Sequence, residues 1–246
     1  MNEKNAKRSI HAVDGVDIVL KDRESYALVG ESGSGKSTLS RLLMGLIPPT
    51  SGDVLLDGTN LFCLNGREEK QRFTRMQLVL QDSKSALDPR FTVYDSIAEP
   101  IRNLLNVSRK RETEMVEALM RQMDLPPTLL CSCSHELSGG QQKRVCIARA
   151  IAVSPQIVIF DEAVSGLDVI VRKSILELLK RLQTEHGYTY LFITHDIDVA
   201  LYIAENIMVM KEGKIVDSVR YTGDTGCFKH PYSRLLIDSL LPENST

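Results

Sequence analysis

No apolar run in this chain approaches the ~20 residues that a membrane-spanning helix requires. The longest candidates, 157–160 and 190–194, read as buried strands instead. Charge of one sign is equally scarce: 30 Lys and Arg stand against 32 Asp and Glu, a formal net charge of -2. That balance excludes a nucleic-acid binder held by bulk electrostatics. With 43% hydrophobic residues, the composition also excludes an acidic disordered chain. Cysteine is sparse, five residues without framework spacing, which points to a reducing cytosol rather than a disulfide scaffold. Residues 1–8 are polar and lack a signal-peptide h-region, and no repeat, heptad array or low-complexity tract is present. Phe, Tyr and Trp are missing from the first twenty residues, where His11 is the one ring. These absences leave the expectation of a soluble, intracellular α/β protein whose 246 residues suffice for a core of their own.

Residues 13–20 and 25–29 have strand character, separated by the charged turn 21–24. An apolar-periodic helix follows 30–37 and is expected to run through Ile47, ended by Pro48-Pro49. Residues 52–57 read as a short strand in a hairpin-rich region, and 76–81 as another strand. From about 82 to 135 the texture changes, and 93–123 reads as two amphipathic helices with Met115, Leu119 and Met123 on one face. This predicts a helical subdomain inserted into a single α/β domain, whose core is 1–81 and 136–246. The core rhythm resumes with helix 139–152, strand 156–161, helix 168–185, strand 188–194, helix 196–204 and strand 207–211. A short C-terminal helix is expected within 229–241. Such alternation predicts a parallel sheet with its ligand beyond the carboxyl ends of the strands.

The first chemical signal is Gly30-Glu31-Ser32-Gly33-Ser34-Gly35-Lys36-Ser37, followed by Thr38. It matches G-x-x-x-x-G-K-[ST] between a strand and a helix, where glycines let backbone N–H groups curl around phosphate oxygens. The helix adds its positive N-terminal end. Lys36 would neutralise the outer phosphates and the Ser37 hydroxyl would ligate Mg²⁺, so the segment reads as a nucleoside triphosphate site. A second signal is the apolar strand Ile157-Val158-Ile159-Phe160 ending in Asp161-Glu162. Successive side chains leave a strand on opposite faces, so the two acids can take different tasks. Asp161 is read as a Mg²⁺ ligand and Glu162 as the group that polarises the attacking water. Gln81 and His195 close two further apolar strands. Gln81 is placed to touch Mg²⁺ and the water, and His195 a γ-phosphate. Cys131-x-Cys133 has no second pair to complete a metal site, and Arg109-Lys110-Arg111 reads as a solvated helix start.

Leu137-Ser138-Gly139-Gly140-Gln141 sets a serine cap and open glycines at another helix N-terminus, a second anion site far along the chain from the first. With this segment the sequence resembles the ATP-binding cassette ATPases, whose signature is LSGGQ. The resemblance covers nearly the whole chain in the family's order: 30–37 resembles its Walker A loop, Gln81 its Q-loop, 137–141 its signature, 157–162 its Walker B strand, Ser165-Gly166-Leu167-Asp168 its D-loop and His195 its switch histidine. It implies a P-loop NTPase core with a parallel sheet, an antiparallel β subdomain and an inserted α-helical subdomain. It also implies a head-to-tail dimer in which ATP and Mg²⁺ on one subunit are enclosed by Ser138, Gly139, Gly140 and Gln141 of the other, with Asp168 among the nucleotide-binding residues.

Within that family, Ala12-Val13-Asp14-Gly15-Val16, Gln81-Asp82-Ser83, Asp88-Pro89-Arg90, Glu162-Ala163-Val164-Ser165 and His230-Pro231-Tyr232 resemble the nickel/peptide importers. The partners so implied are a second ATPase subunit, a related paralogue or this chain itself, together with integral-membrane permease subunits. An extracytoplasmic substrate-binding protein is reached only indirectly, and no nucleic acid is involved. The implied location is the cytoplasmic face of the cell membrane, peripherally bound. A cassette switch acting on nucleic acid or the ribosome is the alternative. A small-molecule kinase or GTPase would share only 30–37, and no Asn-Lys-x-Asp guanine-reading segment is present.

Overall fold

The buried run Ser25–Val29 forms β1, which lies between two other strands inside a six-stranded sheet. The computed structural model describes residues 11–239, so the polar start and the end of the expected tail helix lie outside the described residues. After β1 come α1 (Lys36–Leu43), β2 (Leu55–Leu56), β3 (Thr59–Asn60), α2 (Gly66–Arg75) and β4 (Met76–Val79). Then follow α3 (Ser83–Ala86), α4 (Val93–Leu104), α5 (Arg109–Gln122), α6 (Gly139–Ile151), β5 (Ile157–Asp161) and α7 (Val169–His186). The chain continues through β6 (Thr189–Thr194), α8 (Ile197–Ile203), β7 (Asn206–Lys211), β8 (Lys214–Arg220) and α9 (Pro231–Asp238).

The strand order is β4-β5-β6-β1-β7-β8. The neighbours from β4 to β7 pair in parallel, while β8 returns antiparallel to β7. The sheet is therefore mixed rather than wholly parallel. Glu212 (φ 48) and Gly213 (φ 82) make the tight turn that reverses the chain there. Side chains of β1 alternate between two cores: Ala27 and Val29 join one, Tyr26 and Leu28 the other. Strand order is what positions the site. Because β4, β5, β6 and β1 are parallel neighbours, their carboxyl ends stand side by side, leading into Gln81, Asp161 with Glu162, His195 and Gly30.

The structure departs from the sequence reading in several places. Residues 13–20 form no strand, although Val16, Ile18 and Leu20 do alternate inward against the second core. Their pattern gave the burial correctly, but among the described residues no neighbouring strand pairs with their backbone. Helix α1 stops at Leu43 rather than Ile47, because Gly45 (φ 62) ends it. The Gly45 N–H donates to Leu42 and the Leu46 N–H to Arg41, a glycine-based stop completed before Pro48 is reached. The strand expected over 52–57 is only Leu55–Leu56, paired with β3 around Asp57-Gly58.

Besides the short β3 and α3, two longer elements were not foreseen. α2, GREEKQRFTR, has too few apolar residues to show a period, and a capping box between Asn65 and Glu68 starts it. β8 is an edge strand with little burial. Between β4 and α6 the named elements are helical, with one isolated bridge between Thr92 and Cys133. Met123 and Leu119 are buried there, and Arg102 and Arg109 both pair with the buried Glu112. No described helix is long and apolar enough to cross a membrane.

Candidate functional site

Close backbone approach dictates glycine in the loop after β1. At Gly35 (φ 108) a Cβ would stand 2.0 Å from the Ala12 carbonyl oxygen, and at Gly30 it would stand 2.2 Å from that of Met210. No side chain fits at either position. The β7–β8 turn braces the loop, the Gly213 N–H donating to the Ser34 carbonyl at 2.9 Å. Glu31, Ser32 and Gly33 form the exposed rim, Ser34 is buried, and Ser37 and Thr38 enter the first turn of α1. Lys36 is buried, and its Nζ donates to the carbonyls of Gly30 (2.7 Å) and Glu31 (2.8 Å). Burial lowers its pKa, against the opposing charges of Glu162, Asp161 and Glu31.

Those charges identify what the fold gathers beside the loop. Asp161 ends β5, and burial pushes its carboxyl above the ordinary aspartate value, with the Glu162 charge adding to the effect. Glu162 sits at φ 52, a left-handed backbone that a residue with a side chain seldom adopts, immediately beyond the strand. Its Oε2 accepts from the Ser165 hydroxyl at 2.6 Å and lies 2.8 Å from His195 Nδ1. An ionised carboxylate only accepts, so Nδ1–H donates to it. Burial alone would raise the Glu162 pKa. The hydrogen bonds from Ser165 and His195, with the charge of His195 and Lys36, hold it below the ordinary glutamate value.

Gln81 follows β4 with an exposed side chain that makes no hydrogen bond among the described residues. Its carbonyl and that of Leu80 each accept from the buried ammonium of Lys143 at 2.9 Å. Lys143 and Ser165 are the polar side chains whose parts the sequence reading missed. Ser165 stands three residues beyond Glu162, a spacing that could have suggested a local hydrogen bond, whereas nothing local marks Lys143. For a divalent cation the donors on offer are the Ser37 hydroxyl, the Asp161 carboxylate and the Gln81 amide. All are hard oxygens of the kind Mg²⁺ prefers, and a cation beside Asp161 would relieve the burial that raises its pKa. The residues fit that ion.

The second glycine corner opens α6. Ser138 Oγ accepts from the Gln141 N–H at 3.3 Å, and Gln141 Oε1 accepts from the Ser138 N–H at 2.9 Å, closing a capping box on α6. Ser138 and Gly139 are exposed, Gly140 and Gln141 half-buried. Among the described residues no hydrogen bond or ion pair joins 138–141 to 30–38. Asp168 caps α7 by accepting from the Val171 N–H at 2.9 Å, and it too makes no bond to the loop.

Comparison with known proteins identifies the family. The family described as ABC transporter matches residues 13–165. The chain is 43% identical over 227 residues to the nickel import ATP-binding protein NikE of Brucella abortus (strain 2308), covering 92% of this chain and 85% of that protein. A Bacillus subtilis (strain 168) protein named as an oligopeptide transport ATP-binding protein, YkfD, is 41% identical over 239 residues, 95% of this chain and 71% of its own. Among solved structures, cbiO1 from Clostridium perfringens, part of the ABC transporter complex cbiONQ, superposes with a TM-score of 0.79 at 30% identity, covering 88% of this chain and 84% of that one. A dimeric post-hydrolysis state of the ATP-binding cassette MJ0796 bound to ADP and Pi gives 0.79 at 31% identity, covering 90% and 96%. A family match over more than half the chain, relatives that span nearly all of it and a shared fold lead to one conclusion: this protein belongs to the ABC transporter family, as an ATP-hydrolysing domain.

Proposed function

We propose that the chain energises an importer of nickel or another chelated metal, with di- or oligopeptides as the second cargo class, and that it works as a head-to-tail nucleotide-sandwich dimer. The cargo reading rests on relatives named for nickel import and oligopeptide transport, the former at slightly higher identity. The observation that carries the hydrolytic reading is the clamp on Glu162, held by Ser165 and His195 beside the buried Lys36. In it Glu162 stays ionised and accepts a hydrogen bond from the attacking water. His195 presents Nε2 to the γ-phosphate, and Lys36 with the N–H groups of 30–38 grips the phosphates. Ser37, Asp161 and Gln81 would hold Mg²⁺, which offsets phosphate charge when bound.

In the same proposal residues 82–135 are the inserted helical subdomain, and 1–81 with 136–246 the core. Ser138, Gly139, Gly140 and Gln141, with Asp168 beside them, meet the nucleotide of a second ATPase subunit, a paralogue or another copy. A groove of about 310 Å³ between α2, β4, α4 and α6, lined by Phe73, Gln77, Pro100, Asn103 and Arg149, suits a permease segment at the cytoplasmic membrane face. The extracytoplasmic binding protein acts only through that permease. No observation favours a switch acting on nucleic acid or the ribosome.

The experiment is Glu162→Gln, which keeps shape and removes the base. Phosphate release should fall by about 10²–10⁴-fold while ATP binding persists, the range expected for a lost general base. ATP should then trap a dimer visible by size-exclusion chromatography. Turnover at the native rate would refute the assignment.

A further inference from the structure

His230-Pro231-Tyr232 has no part in the clamp or in the signature corner, yet each of its residues has a physical task at the start of α9. The His230 N–H donates to Asp217 Oδ2 on β8 at 2.9 Å, tying the helix to the edge strand. His230 Nδ1 accepts the Tyr232 N–H at 3.2 Å, and Pro231 occupies the first helical position, where no N–H is needed. Tyr232 is 6% exposed, with the Lys211 ammonium 4.9 Å from its ring centroid. Its hydroxyl oxygen accepts the Glu31 N–H at 3.0 Å.

That N–H and the Gly30 carbonyl belong to one peptide group, and in a trans peptide they point in opposite directions. The unit is therefore held at both ends: Lys36 donates to the Gly30 oxygen at 2.7 Å, and Tyr232 accepts from the Glu31 nitrogen. It follows a glycine, the residue whose backbone resists rotation least. A hydrogen bond at the N–H also polarises the peptide and makes its carbonyl a better acceptor.

We propose that Tyr232 is a positioning residue for nucleotide binding: its hydroxyl fixes the peptide between Gly30 and Glu31, and with it the resting place of the Lys36 ammonium at the mouth of the phosphate loop. The three-residue motif is the device that aims this hydroxyl, and α9 is a strut under the loop. The inference rests on the reading of 30–38 as a phosphate cradle.

Tyr232→Phe keeps the ring and removes the acceptor. The ATP dissociation constant and KM should rise by about 3- to 10-fold, the effect of one lost hydrogen bond, with kcat within about twofold of wild type. Amide hydrogen exchange at Glu31 should accelerate in the same variant without nucleotide. Unchanged KM and unchanged exchange at Glu31 in a folded Tyr232→Phe protein overturn the proposal, as does a fall in kcat at constant KM. Should that variant not fold, Asp217→Ala loosens the start of α9 without touching the ring. It should raise KM in the same direction, and an unaltered KM there also overturns the strut. Lys36→Ala separates the two layers of the argument. If it binds ATP as tightly as wild type, the cradle reading fails and the strut with it. If it loses ATP while Tyr232→Phe does not, the cradle stands and the strut alone is wrong.

Discussion

The phosphate-loop corner and the signature corner are both glycine-rich turns at the N-terminus of a helix, and the chain treats them in opposite ways. At the start of α1 the cap residue is Gly35, with no side-chain cap, and the loop is packed from outside by Ala12, Met210, Gly213 and Tyr232. At the start of α6 a reciprocal capping box satisfies the backbone locally, and a Cβ added at Gly139 would meet nothing within 4 Å. The first corner is shaped by the rest of its own chain and leaves its helix end uncapped for a ligand. The second is capped by its own residues, packs Gly140 against Val171 and exposes Ser138 and Gly139; in the proposed dimer its nucleotide belongs to the second subunit.

The largest expected effect that tests this contrast comes from Gly140→Asp, which sets a negative charge where the neighbour's triphosphate would lie. Like-charge apposition costs several kcal/mol, so ATP hydrolysis should fall by about 10²–10³-fold. ATP affinity of the isolated chain should be unchanged, as read by titration calorimetry. Equal loss of both would show that the two corners serve one nucleotide within a single chain. Lys36→Ala should act the other way round, weakening ATP binding itself by about 10- to 150-fold, the range for a hydrogen bond to a charged group.

A smaller pair separates the corners by stability alone. Gly35→Ala forces a Cβ against the Ala12 carbonyl at a left-handed φ and should cost about 1–3 kcal/mol in denaturant unfolding. Gly139→Ala should stay within about 0.5 kcal/mol of wild type. A Gly139→Ala protein as unstable as Gly35→Ala would erase the distinction.

The smallest effects concern the neighbouring acids. The Asp161 carboxyl is raised by burial, so its contribution to stability is fully present below the ordinary aspartate value of 3.8 and is lost as pH rises through the folded value. Asp161→Asn should therefore raise Tm at pH 7 while weakening the Mg²⁺ dependence of turnover. Glu162 is depressed, so its contribution is present above the ordinary value of 4.5 and lost as pH falls through the folded one. Glu162→Gln should lower Tm at pH 7 and converge with wild type in acid. Thermal melts across pH with the same sign for both variants would contradict these assignments.

Much of this site was legible in the sequence because its signals are local. The run from Gly30 to Thr38 carries its whole motif in consecutive residues, and Ile157–Asp161 announces a buried strand that ends in acids. Ser138 to Gln141 reads as a cap without any structure. What could not be read depends on partners distant along the chain. Residues 13–20 alternate like a strand but lie beside no strand, and alternation reports burial rather than pairing. The polar helix α2 hides because six of its ten residues are charged and Phe73 is its one large apolar residue. Lys143 looks like a surface lysine until its helix turns it onto the carbonyls of Leu80 and Gln81.

By itself the sequence determined the glycine-rich turn before α1, the acidic strand end, the serine-capped corner and the helical character of 93–123, since each follows from residue type at short spacing. The tertiary structure alone decided that β4, β5, β6 and β1 lie side by side, which brings Gln81, Glu162, His195 and Lys36 to one edge of the sheet. It alone turned His195 onto the Glu162 carboxylate and set Tyr232 beneath a peptide 201 residues away. The reason is physical: spacing within a few residues fixes local geometry, whereas long-range contacts are fixed by which strands pair and which faces are buried.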